Sequence, residues 1–347
     1  MREINIEINE AGQRLDRFLR KYLDGAPLSY IYKAIRKNVK VNGKRRPAEF
    51  MIEEGDVVAL YMSDKELERF HTGKRMGGLP AFIDDKAAPP IDIRYQDENI
   101  LVVCKPAGLL THGDAFEKKD HLTNLVIDYL ISTGEYVPRV EKTFSPAPVN
   151  RLDRNTSGLV LFGKNYESLK AFNEFIRLRG KIRKIYRAIV LGTIEKELVL
   201  TGTMEKDESR NMVKVRNDGV QLMWPGFVPE EAIEPGSMLT IVRPLKHAGF
   251  AGNRYTLAEI EIVTGRTHQI RAQLAEAGHP VAGDPKYGDQ TVNRAMRKGF
   301  GLTSQLLHAE KLEVGELPGG FFYLDGREVT AEPPEIFREI EKALFGE

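Results

Sequence analysis

The chain has 347 residues, 41% hydrophobic and 29% charged, a normal globular balance whose length suits two or three domains. A single cysteine, Cys104, excludes an intramolecular disulfide framework. The opening MREINIEINEAGQRLDRF has no leader-type apolar core and no stretch nears the roughly 18 apolar residues of a membrane span, so a cytoplasmic protein is expected.

Net charge is only +1, but it is unevenly placed. Residues 14–46 carry eleven Lys/Arg against Asp16 and Asp24, and residues 151–187 carry ten against three acids. A polyanion responds to such local patches, although charge runs more often serve only to solubilise a helical face.

Residues 1–62 form a first module. RLDRFLRKYL places Leu15, Phe18, Leu19 and Tyr22 at helical spacing, and Gly25 and Pro27 break it. A second helix, LSYIYKAIRK, has Ser29 as its expected cap and Ile31, Ala34 and Ile35 on one face. Two short strands, VKVNG and DVVALYM, follow. Arg14, Arg17, Lys33, Arg36, Lys37, Lys40, Lys44, Arg45 and Arg46 are among the cations that crowd this module. The arrangement resembles the S4 RNA-binding domain, in which two helices and a small sheet present a basic face to RNA.

Residues 63–90 read as a linker, with mixed charges, three glycines, three prolines and little apolar periodicity. The remainder, 91–347, alternates strand runs (NILVVCKP, GLVLFGKN, KIYRAIVLG, LAEIEIV, LLHAEKLEV) with fewer helices (SLKAFNEFIRLRG, HQIRAQLAEAG, EIFREIEKALF). The last helix carries a stripe of Ile336, Ile340 and Leu344. Because strands and helices do not alternate strictly, the expected fold is α+β with a mixed, mainly antiparallel sheet and flanking helices. Segment 203–254 reads as a hairpin with a long surface loop.

There is no phosphate-binding GxxxxGK[ST] loop, no HExxH and no metal-type histidine spacing; His268 and His279 flank a helix eleven positions apart. No metal or cofactor is expected. The densest polar constellation is Asn150-Arg151-Leu152-Asp153-Arg154-Asn155-Thr156-Ser157-Gly158, where neighbouring guanidinium groups favour an ionised Asp153 able to act as nucleophile or base. A loop aspartate between arginines is more often a plain salt bridge. Thr264-Gly265-Arg266-Thr267-His268-Gln269-Ile270-Arg271 joins a strand to a helix, a place where anions gather, with Thr267 as the bland alternative, a simple helix cap. Tyr186, in KIYRAIV, alternates away from Ile185 and Arg187 and offers a ring for base stacking or simply a core side chain.

Taken in order, ILVVCKPAGLLTH, NRLDRNTSGLVLFGKN, KIYRAIVLG, TGRTHQIRAQLAEAGHPVAGDPKYG and LLHAEKL closely resemble the RluA-type pseudouridine synthases over about residues 92–315. The resemblance implies that Asp153 is the catalytic aspartate, that Tyr186 lines the uracil pocket, that Arg271 pairs with Asp153 through a bidentate ion pair, and that Arg151 helps displace the target base. Arg154, Arg266 and His268 join the cations of the first module as expected RNA contacts. Asn150 departs from the family's usual histidine. A glycoside hydrolase also works at an anomeric carbon, but it needs a second carboxyl group that these motifs lack. An RNA-binding assembly factor is the non-enzymatic alternative, and loss of Asp153, Tyr186 or Arg271 would have favoured it. Ribosomal RNA is the expected partner, with no obligate protein partner and a monomeric enzyme.

Overall fold

In the computed structural model, the residues described are 1–70, 91–114, 117, 119–138, 143–178, 180–207, 212–216, 220–221 and 237–346. The N-terminal module is a three-stranded antiparallel sheet, in the order Arg2–Asn5, Val57–Leu60, Val39–Val41, packed by helices Leu15–Tyr22 and Leu28–Asn38. The apolar positions expected on the two helices are all buried in one cluster with Ile4, Val41 and Val58. The second helix is not capped by Ser29, which lies inside its first turn. Pro27 occupies the cap position, because its φ of −66° with an extended ψ of 152° is already the geometry of a helix entry.

Part of the linker expected over residues 63–90 is a helix. Asp64–Phe70 is a helix closed at its start by a reciprocal cap: the Glu66 carboxylate accepts from the Ser63 N–H at 3.1 Å, and the Ser63 hydroxyl accepts from the Glu66 N–H at 3.3 Å. Leu67 is buried in the N-terminal cluster, and the Phe70 ring lies 4.4 Å from that of Tyr30. The rest of the expected linker, 71–90, lies outside the described residues.

The larger part of the chain is built on a 12-stranded sheet. Its main path runs Met212–Arg216, Leu198–Asp207, Met238–Phe250, Asn253–Ile262, Ile182–Leu191, Leu307–Val314, Ser157–Gly163, Ile100–Lys105, Asp92–Gln96. Every pairing on this path is antiparallel except one: Leu307–Val314 runs parallel to Ser157–Gly163, through His308↔Ser157 and Ala309↔Gly158. The fold is therefore the mixed, mainly antiparallel α+β arrangement expected from the strand pattern. The 203–254 region contributes the hairpin Leu198–Asp207/Met212–Arg216 and most of a second, Met238–Phe250/Asn253–Ile262, while its expected loop falls largely outside the described residues.

Gly158 is what permits the parallel seam. Its φ is +116°, a region that side chains disfavour, and a Cβ there would stand 2.3 Å from the Ala309 carbonyl oxygen. Beside it, His308 is fully buried. Its Nε2 must donate to the Ala331 carbonyl at 2.9 Å, so its Nδ1 accepts from the Ser157 hydroxyl at 2.8 Å. Burial pushes this imidazole down to about 4, which keeps it neutral and able to play both roles.

Helix Glu335–Phe345 buries Phe337 and Ile340 with Leu344 half-buried, while Ile336 stays 37% exposed. The helix starts directly after Pro334, and this sets a face one residue away from the stripe expected through Ile336. Two helices were not legible as such: Leu122–Ser132, whose LTNLVIDYLIS run reads equally well as a strand, and Gln290–Phe300, which buries only Val292 and Met296.

Candidate active site

Three hydrophobic neighbours assemble the site. Leu152 precedes Asp153, Ile270 precedes Arg271, and the Tyr186 ring itself belongs to the same buried cluster, together with Ala188, Ile260 and Leu274. Burying each such side chain contributes about 2 kcal/mol. The packing of three distant segments into one core thus brings a loop carboxylate, a helix guanidinium and a strand phenol together.

The loop carrying Asp153 is pinned on several sides. The Leu152 N–H donates to the Thr111 hydroxyl at 3.1 Å, which in turn donates to the Leu152 carbonyl at 3.0 Å. The Thr156 N–H donates to the Asp153 carbonyl at 3.1 Å. Asn150 accepts from the Leu161 N–H at 2.8 Å and donates to the Leu159 carbonyl at 3.2 Å, so the residue that departs from the family's histidine ties the loop to the strand Ser157–Gly163.

Lys105 lies beneath. It is fully buried, and its ammonium donates to the carbonyls of Pro106, Leu109 and Arg154 at 2.9, 2.8 and 3.0 Å. Burial pulls it down to about 7, against the opposing pull of the Asp153 charge. Three acceptors match the three donors of the ammonium form.

Arg271 is 4% exposed and carries two carboxylates. Its Nη1 donates to Asp153 Oδ2 at 2.7 Å, as the motif resemblance implies. The bidentate pair, however, is not with Asp153. Nε and Nη2 donate to Asp284 Oδ2 and Oδ1 at 2.6 and 2.8 Å. The two-toothed edge of the guanidinium faces the fully buried Asp284, leaving one N–H for the half-exposed Asp153. Burial opposes the Arg271 charge, yet Asp284 and then Asp153 raise it above its ordinary value. Burial likewise pushes Asp284 up, but Arg271 and the N–H groups of Tyr287 and Lys286 outweigh it and hold the carboxyl below its usual range.

His268 stands on the other side of Asp153, with Nε2 4.0 Å from Oδ2 and Nδ1 3.0 Å from the Tyr287 hydroxyl. It does not share a helical face with Arg271. The helix runs Gln269–Glu276, and His268 precedes it in a left-handed conformation with φ 56°. The helix start is anchored by the Gln269 side chain, which accepts from the Arg266 N–H at 3.1 Å, and Thr267 does not serve as the cap. Burial lowers the His268 imidazole, with Asp153 opposing.

Tyr186 is buried, and among the described residues no hydrogen bond engages its hydroxyl. Burial, then the Asp153 charge, raises its phenol, which suits a proton donor or a stacking ring better than a base. Arg151 and Arg266 are exposed, and Arg154 reaches Asp114 at 3.5 Å, so neither flanking arginine of the loop ion-pairs with Asp153. In the N-terminal module, Arg17, Lys33, Arg36, Lys37, Lys44 and Arg45 are exposed. Lys40 and Arg46 cover the rings of Tyr61 and Phe50, and Arg14 is engaged by Asp16 through two hydrogen bonds. Among the described residues, no three His, Cys, Asp or Glu side chains form a metal-type group.

Residues 99–276 match the family described as RNA pseudouridylate synthase, just over half of the chain. The ribosomal large subunit pseudouridine synthase C of Escherichia coli (strain K12) is 32% identical over 321 residues, covering 89% of this chain and 87% of that protein. The chain belongs to the RNA pseudouridylate synthase family. The protein of the same description from Vibrio cholerae is 30% identical over 323 residues, with 89% and 87% coverage. In fold, this pseudouridine synthase is similar to human RNA Pseudouridylate Synthase Domain Containing 4, with a TM-score of 0.52 at 21% identity, covering 72% of this chain and 91% of that one.

A pseudouridine synthase is an isomerase. It breaks the N1–C1′ bond of uridine, turns the uracil and joins C5 to C1′, a redox-neutral exchange that leaves the atom count unchanged. Sequence reasoning missed Asp284, Lys105 and Tyr287. The only signal for Asp284 was its place in GDPKYG, where an aspartate between Gly and Pro reads as a turn former.

Proposed function

We propose that this enzyme isomerises specific uridines of large-subunit ribosomal RNA, with Asp153 as the catalytic carboxylate. The observation that carries the assignment is the half-exposed Asp153 carboxylate held by one N–H of a buried Arg271, in the same core as Tyr186. A carboxylate so held can attack the sugar C1′ or take its 2′ proton, and either route uses the same position. The similarity to ribosomal large subunit pseudouridine synthases supports the substrate.

A base inside a helix cannot be reached, so the target uridine is flipped, at a cost of a few kcal/mol. The exposed Arg151 is positioned on the Asp153 loop to fill the vacancy. Tyr186 stacks on or donates to the extruded uracil. The exposed cations of residues 1–62, in an S4-like module, hold phosphates away from the reacting centre. The enzyme acts in the cytoplasm as a monomer; among the described residues no helix is long and apolar enough to cross a membrane.

The test is RNA transcribed with tritium at C5 of uridine, since joining C5 to the sugar expels that tritium to solvent. Release from large-subunit ribosomal RNA by the wild type and none by Asp153→Asn is expected. Equal release by both would move the catalytic role elsewhere, and release from transfer RNA alone would overturn the substrate.

A further inference from the structure

Two faces of one strand treat their cations differently. On one face of Ile182–Leu191, Arg183 is bound by Glu261 and Glu313, and Arg187 by Glu310 and Glu341. Across the same face, Arg243 meets Glu197, Glu259 and Glu261, and Lys311 meets Glu313. Each cation there has an acid placed for it. Lys184 points to the opposite face, that of Tyr186, and is only 6% exposed. Among the described residues no hydrogen bond or ion pair engages its ammonium. Glu261 is felt from the neighbouring strand, but its carboxylate is already taken by Arg183 and Arg243.

A largely buried lysine whose ammonium has no partner is costly, and interiors rarely keep one for structure alone. The burial of Lys184 accordingly pulls it down to about 8. Its position gives it another use. It lies two residues along the strand from Tyr186, about 7 Å in an extended chain. Its ammonium comes within 4.0 Å of where a Gly265 side chain would begin, in the turn that carries Arg266. Arg266 is exposed and has no ion-pair partner among the described residues. Two uncompensated cations therefore flank Gly265, one deep and one at the rim, beside the ring that receives the base. The anion that an RNA brings to such a place is its phosphodiester.

We propose that Lys184 is the floor of a phosphate subsite, binding a backbone phosphate next to the nucleotide whose uracil lies at Tyr186, with Arg266 at the rim. The subsite rests on the assignment of RNA as substrate and adds to it a fixed point for the backbone. Binding that phosphate compensates the buried charge only in the productive complex, so Lys184 favours the correctly threaded strand and is set apart from the exposed cations of residues 1–62.

The experiment uses the full-length wild type, Lys184→Met and Lys184→Arg. Tritium release from a C5-labelled large-subunit ribosomal RNA transcript is measured at subsaturating RNA over a series of KCl concentrations, and Tm is measured alongside. Lys184→Met is expected to lower kcat/KM tenfold or more and to flatten the slope of log(kcat/KM) against log[KCl] by roughly 0.7–0.9, the release of about one ion. Its Tm should equal or exceed that of the wild type, because an unpaired charge on a largely buried side chain has been removed. Lys184→Arg should keep the wild-type slope. An unchanged slope in Lys184→Met, or a lowered Tm, would overturn the subsite. If the wild type releases no tritium, the ribosomal RNA assignment fails on its own. The same slope criterion is then applied to binding of a fluorescein-labelled oligouridylate, which judges the subsite separately.

Discussion

Replacing Asp284 with Asn removes a charge while leaving the shape of the side chain nearly intact. Asp284 is fully buried and accepts four hydrogen bonds: two from Arg271, at 2.6 and 2.8 Å, and those of the Lys286 and Tyr287 N–H groups at 2.8 and 3.1 Å. An amide offers one oxygen, and turns an NH2 toward a guanidinium that is itself only 4% exposed. Breaking a buried pair by removing one partner costs about 3–5 kcal/mol. At roughly 2–4 °C per kcal/mol for a domain of this size, Tm should fall by about 10 °C. The fork of Arg271 would then be free to turn toward Asp153, and misplacement near 1 Å costs about 10²-fold in rate. Tritium release under single-turnover conditions, well below the variant's Tm, is the assay. A normal rate in a destabilised Asp284→Asn enzyme would refute the claim that Asp284 orients the site through Arg271, and an unchanged Tm would refute the energetics as well. Acid dependence gives an independent check. The Asp284 carboxyl is held below its usual range in the folded enzyme, so its contribution is present above the unfolded value of about 4 and is lost as pH falls through the folded value. The stability difference between wild type and variant should therefore shrink on acidification below about 4.

Gly158→Ala should destabilise by about 3 kcal/mol or more, since a methyl group at φ +116° would meet the Ala309 backbone at 2.3 Å; chemical denaturation measures it. Tyr186→Phe removes a hydroxyl that no hydrogen bond engages among the described residues, so stability should stay within roughly 0.5 kcal/mol while single-turnover tritium release drops about tenfold or more. Lys105→Met leaves three buried carbonyls without their donor, which should cost about 3 kcal/mol and slow the reaction through the loosened Arg154 backbone; Tm and single-turnover release read the two effects.

Asp153, Tyr186 and Arg271 could be singled out in the sequence because the motif set constrains residue types next to apolar anchors. Leu152 and Ile270, whose burial brings the loop and helix together, are visible in RLD and QIR as ordinary core residues. What could not be read was the partnership of Arg271. Asp284 lies 13 residues further on, beyond the helix, and only the fold shows that the guanidinium fork turns to it instead of to Asp153. The place of His268 ahead of the helix could not be read either, since a left-handed residue at a helix start leaves no trace in hydrophobic spacing. The helix Asp64–Phe70 was hidden inside a glycine- and proline-rich stretch, although Ser63 and Glu66 carried the spacing of a reciprocal cap.

The parallel seam between Leu307–Val314 and Ser157–Gly163 is only two residue pairs long, yet it divides the groups proposed to react. Asp153 comes from the strands on one side of it; Tyr186 and Arg271 belong to the other. The Arg271–Asp153 pair spans 118 positions of chain, and contacts of that separation form slowly because loop closure must precede any gain. Neither half of the sheet carries all three of these side chains by itself. If Asp153, Tyr186 and Arg271 act together as proposed, a nascent chain on which the first half has already folded would carry the cations of residues 1–62 without a complete site, and activity would arrive when the second half docks.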